Sequence, residues 1–254
     1  MSGHTPFHVI ATLVVSSTLS VSCLLTFVVR RYVLRHFLLD IPNPRSSHIL
    51  PTPRGGGIAI VVAWFVALVI LMWLGRLDAW VGVALLGGGG AIALIGWLDD
   101  RHHLSAGIRA GVHLVAAAWA VWCLGGLPSL DVGPGVVPLG WLGGAVAVIG
   151  IAWLTNLYNF MDGIDGLAAG EAVSVGLVGG GLLAFAGTSG MALAAVSLAA
   201  AAGGFLVFNW PPAKIFMGDV GSGLLGYALK VKELIAVDYS DVRLEKLKDR
   251  KSVV

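Results

Sequence analysis

The sequence predicts an all-α protein, a polytopic transmembrane helical bundle. Of its 254 residues, 57% are hydrophobic and only 12% are charged, whereas soluble domains carry about 25% charged residues. The apolar residues form runs of about 20, the length of a membrane span. These observations exclude a soluble domain and favour one membrane domain, residues 1–229, followed by a polar tail, residues 230–254.

Seven apolar runs are long enough to span a bilayer, and an eighth is shorter. The eighth begins near Val220 and turns polar at Lys230, and about ten apolar residues cannot cross the hydrocarbon core. We therefore expect seven to eight spans in the chain. The seven complete runs are residues 8–29, 57–75, 79–98, 108–126, 140–157, 170–187 and 191–208.

The charges around the spans predict their orientation. Arg30 and Arg31 follow the first run, whereas a cleaved signal peptide carries its positive charge in front. With the N-terminus outside, the cytoplasmic loops hold eight lysines and arginines, and the external loops up to residue 190 hold only Arg76. Positive charge collects on the cytoplasmic side, so we predict that four loops face the cytoplasm: 30–56, 99–109, 156–169 and 209–222.

Asp99 and Asp100 follow the third apolar run. Adjacent carboxylates at a membrane boundary repel each other and are partly desolvated, which favours a proton acceptor or a bound cation. A solvated helix end is the alternative.

Four polar residues recur every third position in Asn156, Asn159, Asp162 and Asp165, so a helix would place them on one face. Their carboxylate and amide oxygens suit Mg²⁺. A helix cap followed by a turn would explain one of the acids but not the repeated set.

Two further segments are candidates for binding. Asp219 lies where the chain re-enters the membrane, and a helix-capping role is its alternative. Phe216 could stack on a base or simply pack at the interface. The loop from Asp40 to Gly57 is rich in proline and glycine, and Arg45, His48 and Arg54 in it can bind phosphate oxygens, although a positive-inside anchor would also explain the arginines.

Four segments resemble, in order, the polyprenyl-phosphate N-acetylhexosamine-1-phosphate transferase family. They read DIPNPRSSHILPTPRGGG, GWLDDRHHLSAGIR, NLYNFMDGIDGLAAGEA and NWPPAKIFMGDVGSGLLGY, and they cover about residues 40–228. The segments NFMDGIDG and NWPPAKIFMGD resemble the O-antigen-initiating branch more than the related translocase that forms lipid I. The resemblance implies transfer of a HexNAc-1-phosphate from a UDP-sugar to undecaprenyl phosphate in the bacterial inner membrane, with release of UMP, to start a cell-surface polysaccharide.

The resemblance also implies a role for each motif residue. The implied metal is Mg²⁺, with Mn²⁺ as a substitute, held by Asn159 and Asp219. The implied catalytic acids are Asp99, Asp100, Asp162 and Asp165, one of the first two acting on the lipid phosphate. The implied substrate-binding residues are Arg45, His48, Arg54, Asn156 and Phe216. Partners would be the UDP-sugar, the lipid phosphate and the bilayer but no nucleic acid, and a homodimer is an oligomeric state to test because relatives include dimers.

The chain departs from the family after residue 229. Relatives continue through further spans and carry a late loop rich in His and Arg, whereas this chain has no His after His113. We therefore expect a truncated, frameshifted or fusion-like end and keep a second hypothesis, a catalytically incomplete family member. A transporter is a third hypothesis, but it predicts ionisable groups near mid-bilayer rather than at the cytoplasmic ends of the spans.

Overall fold

The computed structural model describes residues 6–36, 51–126 and 136–231, and the backbone of 39–40 and 129–131. This part of the chain is a helical bundle, which confirms the predicted fold class. Its helices are α1 (Phe7–Arg35), α2 (Gly57–Trp73), α3 (Ala79–His102), α4 (Ala106–Leu124), α5 (Gly140–Met161), α6 (Leu167–Phe185), α7 (Ser189–Asn209) and α8, residues 219–231. Two antiparallel ribbons pair β1 (Leu39–Asp40) with β2 (Thr52–Pro53) and β3 (Ser129–Asp131) with β4 (Val136–Pro138).

All seven complete apolar runs form helices. Among the described residues, six helices are long and apolar enough to cross a membrane: α1 and α3 to α7. Helix α2 is also apolar and has 17 residues, which is the lower end of the range for a span. The multi-pass membrane architecture follows from these helices.

Several helices continue beyond the predicted spans. Helix α3 extends to His102 and ends where His103 adopts a left-handed φ of 48°, and α4 starts after Ser105, whose side chain accepts a hydrogen bond from Ile108 N. A helix stops at such local signals rather than at the edge of its apolar run. Helices therefore occupy the ends of the four predicted loops, 30–56, 99–109, 156–169 and 209–222. Asp99 and Asp100, for example, lie on the last turn of α3.

Helix α7 forms the middle of the bundle. Buried residues make up 72% of its most apolar stretch but only 22% of that of α1. Small residues permit this packing, because a Cβ on Gly204 would lie 2.5 Å from the carbonyl oxygen of Leu19 in α1. Close backbone contact through small residues is how membrane helices pack without a hydrophobic driving force.

Helix α8 is buried among the other helices. Leu224, Leu225 and Tyr227 have no exposed surface, and the Tyr227 hydroxyl donates a hydrogen bond to the Ala84 carbonyl of α3, at 2.9 Å. The first residue of α8 is Asp219. The fold thus places this acid beside the end of α3.

Candidate active site

The chain segments that precede α2 and α8 run side by side. The Phe216 amide donates to the Pro53 carbonyl at 2.8 Å, and the Gly57 amide donates to the Met217 carbonyl at 2.9 Å. Only glycine fits at this crossing, since a Cβ on Gly57 would lie 2.5 Å from the Cα of Gly221. The triple glycine of the sequence therefore brings the segment that carries Arg54 against the start of α8.

Arg54 bridges two acids at this crossing. Its Nη2 lies 2.8 Å from Asp100 Oδ1 and 2.8 Å from Asp219 Oδ1. The Asp219 amide also donates to Asp100 Oδ1, at 3.2 Å. Asp100 Oδ2, in contrast, is buried and has no hydrogen-bond partner, which is costly for a carboxylate oxygen.

Close packing of glycines sets this geometry. Gly218 has a φ of +76°, and a Cβ there would lie 2.6 Å from Asp100 Oδ2. A Cβ on Gly96 of α3 would lie 2.5 Å from the carbonyl of Asp219. The last turn of α3 can therefore reach the first turn of α8 only because both positions are glycine.

Arg109 makes a second ion pair, which the sequence reasoning missed. Its Nη1 lies 2.7 Å from Asp99 Oδ2 and 3.6 Å from Asp219 Oδ2. The Leu104 amide donates to the other Asp99 oxygen, at 2.6 Å. Both oxygens of Asp99 are thus engaged, and Asp219 lies between two guanidinium groups.

Asp162 caps the C-terminus of α5 and faces the same charges. Burial raises the pKa of Asp162 to about 8, and the nearby carboxylates of Asp219 and Asp100 act in the same direction. The Arg54 charge and the Gly218 amide lower the pKa of Asp162 but do not compensate for burial. This carboxyl is poorly balanced by the protein's own cations.

We call these charged groups the acidic cluster: Asp99, Asp100, Asp162 and Asp219 with Arg54 and Arg109. Four carboxylates and two guanidinium groups leave two negative charges when all six are ionised, which equals the charge of one divalent cation. Burial, and then the neighbouring carboxylates of Asp99 and Asp100, raise the pKa of Asp219. The acidic cluster is therefore short of positive charge.

A pocket extends from Asp219 into the bundle. It is lined by Arg109, His113, Asn156, Asn159 and Asp219, with Ile92, Ile95, Gly96 and Gly223. The structure thus brings together Asn156, Asn159 and Asp219, three of the predicted site residues. His113 is only 7% exposed and was missed, although its spacing of four from Arg109 on an apolar helix was a usable signal.

Asn159 is fixed by α8. Its Oδ1 accepts a hydrogen bond from the Ser222 hydroxyl, at 2.6 Å, and that hydroxyl also lies 3.1 Å from the Gly218 carbonyl. Ser222 has no exposed surface. It was not singled out from the sequence because its role depends on the packing of α8 against α5.

The expectation that four polar residues share one helical face is wrong. Helix α5 ends at Met161, so it carries Asn156 and Asn159 but not Asp165. The Asp165 carboxylate instead accepts a hydrogen bond from the Ala213 amide, at 2.9 Å, and fixes the loop before α8. A catalytic role for Asp165 stays a prediction.

The other predicted residues divide into two groups. Arg45 and His48 lie outside the described residues, as does the tail from residue 232 onward. Phe216 is half-buried and lies beside the acidic cluster, because its backbone forms a bridge with Arg54. Its role as a base-stacking residue stays a prediction.

The donor atoms fit a hard divalent cation. Among the described residues, no group of three or more His, Cys, Asp or Glu is arranged to hold a metal ion. The carboxylates of Asp99, Asp100 and Asp219 pair with arginines. Mg²⁺ usually takes one or two carboxylates and completes its shell with water and substrate phosphates. The unpartnered Asp100 Oδ2 and the surplus of carboxyl groups over guanidinium groups suit that mode of binding.

Comparisons with known proteins give the chain its relatives. A family model described as "Glycosyl transferase family 4" matches residues 82–237. The chain is 34% identical over 232 residues to the "Probable undecaprenyl-phosphate N-acetylglucosaminyl 1-phosphate transferase" of Bacillus subtilis, covering 87% of the chain and 61% of the relative. It is 37% identical to a "Phospho-N-acetylmuramoyl-pentapeptide-transferase" of Synechococcus, covering 74% and 57%.

A third relative is the "Decaprenyl-phosphate N-acetylglucosaminephosphotransferase" of Mycolicibacterium smegmatis. It is 34% identical and covers 79% of the chain and 54% of the relative. The chain therefore spans between 54% and 61% of the length of these three relatives.

Proposed function

Because the chain belongs to glycosyl transferase family 4, we propose that it transfers a HexNAc-1-phosphate from a UDP-sugar to undecaprenyl phosphate and releases UMP. The names of two relatives specify a polyprenyl phosphate and N-acetylglucosamine, which supports this pair of substrates. The observation that carries the proposal is the acidic cluster beside a pocket that Arg109, Asn156 and Asn159 help to line, at one end of the membrane helices. The product would start a cell-surface polysaccharide such as an O-antigen.

The position of the cluster suits a reaction between a soluble and a lipid substrate. A phosphate oxygen of the lipid attacks the β-phosphorus of the donor. The bond from that phosphorus to the bridging oxygen breaks, and UMP leaves with the electron pair. The acidic cluster lies where α3 ends and α8 begins, so both substrates can reach it from the membrane surface.

The contacts suggest different roles for the two adjacent acids. Both oxygens of Asp99 are occupied, by Leu104 N and Arg109, so Asp99 positions Arg109 and the helix end. Asp100 Oδ2 has no partner and can accept a proton or a hydrogen bond from the lipid phosphate. We assign proton transfer to Asp100 rather than to Asp99.

Two residues would hold the metal in this proposal. Asn159 and Asp219 line one pocket and offer amide and carboxylate oxygens, ligands suited to Mg²⁺, with Mn²⁺ as a substitute. When bound, the ion would neutralise charge that develops on the diphosphate. Arg54 and Arg109 supply the remaining positive charge toward the anionic substrates.

The distribution of lysine and arginine supports an orientation in which the site faces the cytoplasm of a bacterial inner membrane. Near the acidic cluster, Arg30 Nε donates to the Lys214 carbonyl at 3.2 Å, which places two basic residues at this end of the bundle. Arg76 lies between α2 and α3, at the opposite end. Lysine and arginine favour the cytoplasmic side.

An assay of UMP release tests the proposal. Purified chain in detergent receives UDP-N-acetylglucosamine or UDP-N-acetylgalactosamine, undecaprenyl phosphate and Mg²⁺. UMP should form with the wild type and with the control Arg101→Gln but not with Asp219→Asn. Arg101 serves as the control because it is exposed and stacks on Trp97. UMP formation that continues unchanged in Asp219→Asn would sink the assignment of this site.

A second candidate is a catalytically incomplete member of the family, because Arg54 already pairs with the carboxylates of Asp100 and Asp219. This candidate predicts that the folded chain binds Mn²⁺ through Asp219 but releases no UMP. Substrate flux across proteoliposomes without UMP formation would instead support the transporter hypothesis.

A further inference from the structure

The Arg54 guanidinium occupies a place that a divalent cation would also favour. One nitrogen, Nη2, lies 2.8 Å from an oxygen of Asp100 and 2.8 Å from an oxygen of Asp219. A bridging cation between two carboxylates is normally a metal ion or an arginine, and one pair of oxygens cannot serve both at full strength. Resting on the proposed function, we propose that Arg54 and a divalent metal ion compete for the carboxylate of Asp219, and that a bound metal ion also releases Arg54 from Asp100.

The exposure of the three side chains indicates that a metal ion would approach the carboxylates from the side that Arg54 covers. The Arg54 side chain is 37% exposed, whereas those of Asp100 and Asp219 are 12% and 17% exposed. The guanidinium therefore covers the two carboxylates on the solvent side. A cation that approaches from water meets Arg54 before it reaches them.

The backbone contacts of Arg54 allow its side chain to move away from the two carboxylates without disturbing the fold. Its main chain forms a bridge with Phe216, and the neighbouring Gly55 and Gly56 amides donate to the Phe216 carbonyl at 3.1 and 2.9 Å. Only the side chain has to rotate. Once displaced, the guanidinium would remain beside the site, where it would face the diphosphate of the donor.

Arg109 does not share this role. Its short ion pair is with Asp99, at 2.7 Å, and its distance to Asp219 is 3.6 Å. Asp99 is also fixed by the Leu104 amide. Arg109 therefore stays paired when a cation takes Asp219, and the two arginines have separate functions.

Direct binding of Mn²⁺ tests the competition, because free Mn²⁺ is counted by its paramagnetic resonance signal. Arg54→Gln removes the competing charge and should bind Mn²⁺ at least about tenfold more tightly than the wild type. Arg54→Lys keeps the charge and should stay within about threefold of the wild type. Arg101→Gln is the matched control, since Arg101 is exposed at the same end of α3 and contacts Trp97; its affinity should not change.

A second measurement uses the unmodified chain and does not depend on the folding of a variant. Phenylglyoxal modifies accessible arginines, and the modified peptides are quantified by mass spectrometry. Saturating Mn²⁺ should accelerate modification of Arg54 at least about threefold while leaving Arg101 unchanged. Slower or unchanged modification of Arg54 would overturn the proposal.

The outcomes separate this inference from the proposed function. Wild-type chain that binds Mn²⁺ while folded Arg54→Gln binds it equally or more weakly would overturn the competition alone. Wild-type chain that binds no Mn²⁺ at millimolar concentration would overturn both the competition and the metal in the proposed function. Tighter binding by Arg54→Gln in a chain that releases no UMP would support the competition while contradicting the transferase activity.

Discussion

The ion pair between Asp99 and Arg109 allows the most quantitative prediction. Exposed ion pairs contribute about 0–1 kcal/mol, and breaking a fully buried pair costs about 3–5 kcal/mol. The Asp99 side chain is 9% exposed and that of Arg109 is 34% exposed, so solvent screens the pair in part. We expect a coupling energy of about 1–2 kcal/mol between the two side chains.

Asp99→Ala should cost more than the coupling energy. It also removes the acceptor of the 2.6 Å hydrogen bond from Leu104 N, and a hydrogen bond to a charged group contributes about 1.5–3 kcal/mol. Relief of repulsion from Asp100 and Asp219 offsets part of the loss. The expected loss of stability is about 2–4 kcal/mol for Asp99→Ala and about 1–2 kcal/mol for Arg109→Ala.

A double-mutant cycle measures the coupling. Asp99→Ala, Arg109→Ala and the double variant are unfolded in mixed micelles, and the three losses of stability are compared. Asp78→Ala is the control on the same helix, because its side chain caps α3 at the opposite end by accepting from Trp80 N and Val81 N. Losses for Asp99 and Arg109 that add to within about 0.3–0.5 kcal/mol, as for independent sites, would refute the reasoning.

Substitutions at three further positions probe the surroundings of the site. Gly218→Ala should weaken Mn²⁺ binding, measured by titration, because its Cβ would meet Asp100 Oδ2 and its φ is left-handed; unchanged affinity would contradict the geometry. Ser222→Ala should weaken Mn²⁺ binding by about 10–100-fold, since residues that orient a metal ligand have effects of this size. Ser222→Thr keeps the hydroxyl beside Asn159 Oδ1 and should recover part of the loss. Equal Mn²⁺ affinities for the wild type and both variants would refute the role of Ser222 in orienting Asn159. Tyr227→Phe removes a buried hydrogen bond and should cost about 0.5–1.5 kcal/mol in unfolding without changing Mn²⁺ affinity; a change in affinity would show that α8 transmits strain to the site.

Hydropathy predicted most of the fold because a span needs length and apolarity. It predicted about ten apolar residues for the eighth run, and the described part of α8 has 13 residues, 219–231. That helix packs against protein, as the fully buried Leu224 and Tyr227 show. A length rule derived from the bilayer does not apply to a helix surrounded by other helices.

The motifs predicted the acids of the site but not their partners. Asp99, Asp100 and Asp219 could be grouped from sequence because charged residues are rare in this chain. Arg109 and Ser222 could not be grouped with them, because their contacts depend on how α4 and α8 pack. The spacing also led to a wrong position for Asp165. Residues three positions apart share a helical face only within a helix, and α5 ends at Met161, before Asp165.

The central claim is tested most directly by measuring both products of the reaction. Purified chain with undecaprenyl phosphate, a UDP-N-acetylhexosamine and Mg²⁺ should form UMP and a lipid-linked HexNAc diphosphate in equal amounts, quantified by mass spectrometry. Asp100→Asn should reduce both products together, because Asp100 Oδ2 is a buried oxygen of the acidic cluster without a hydrogen-bond partner. UMP formed without the lipid product, or full activity in Asp100→Asn, would contradict the account.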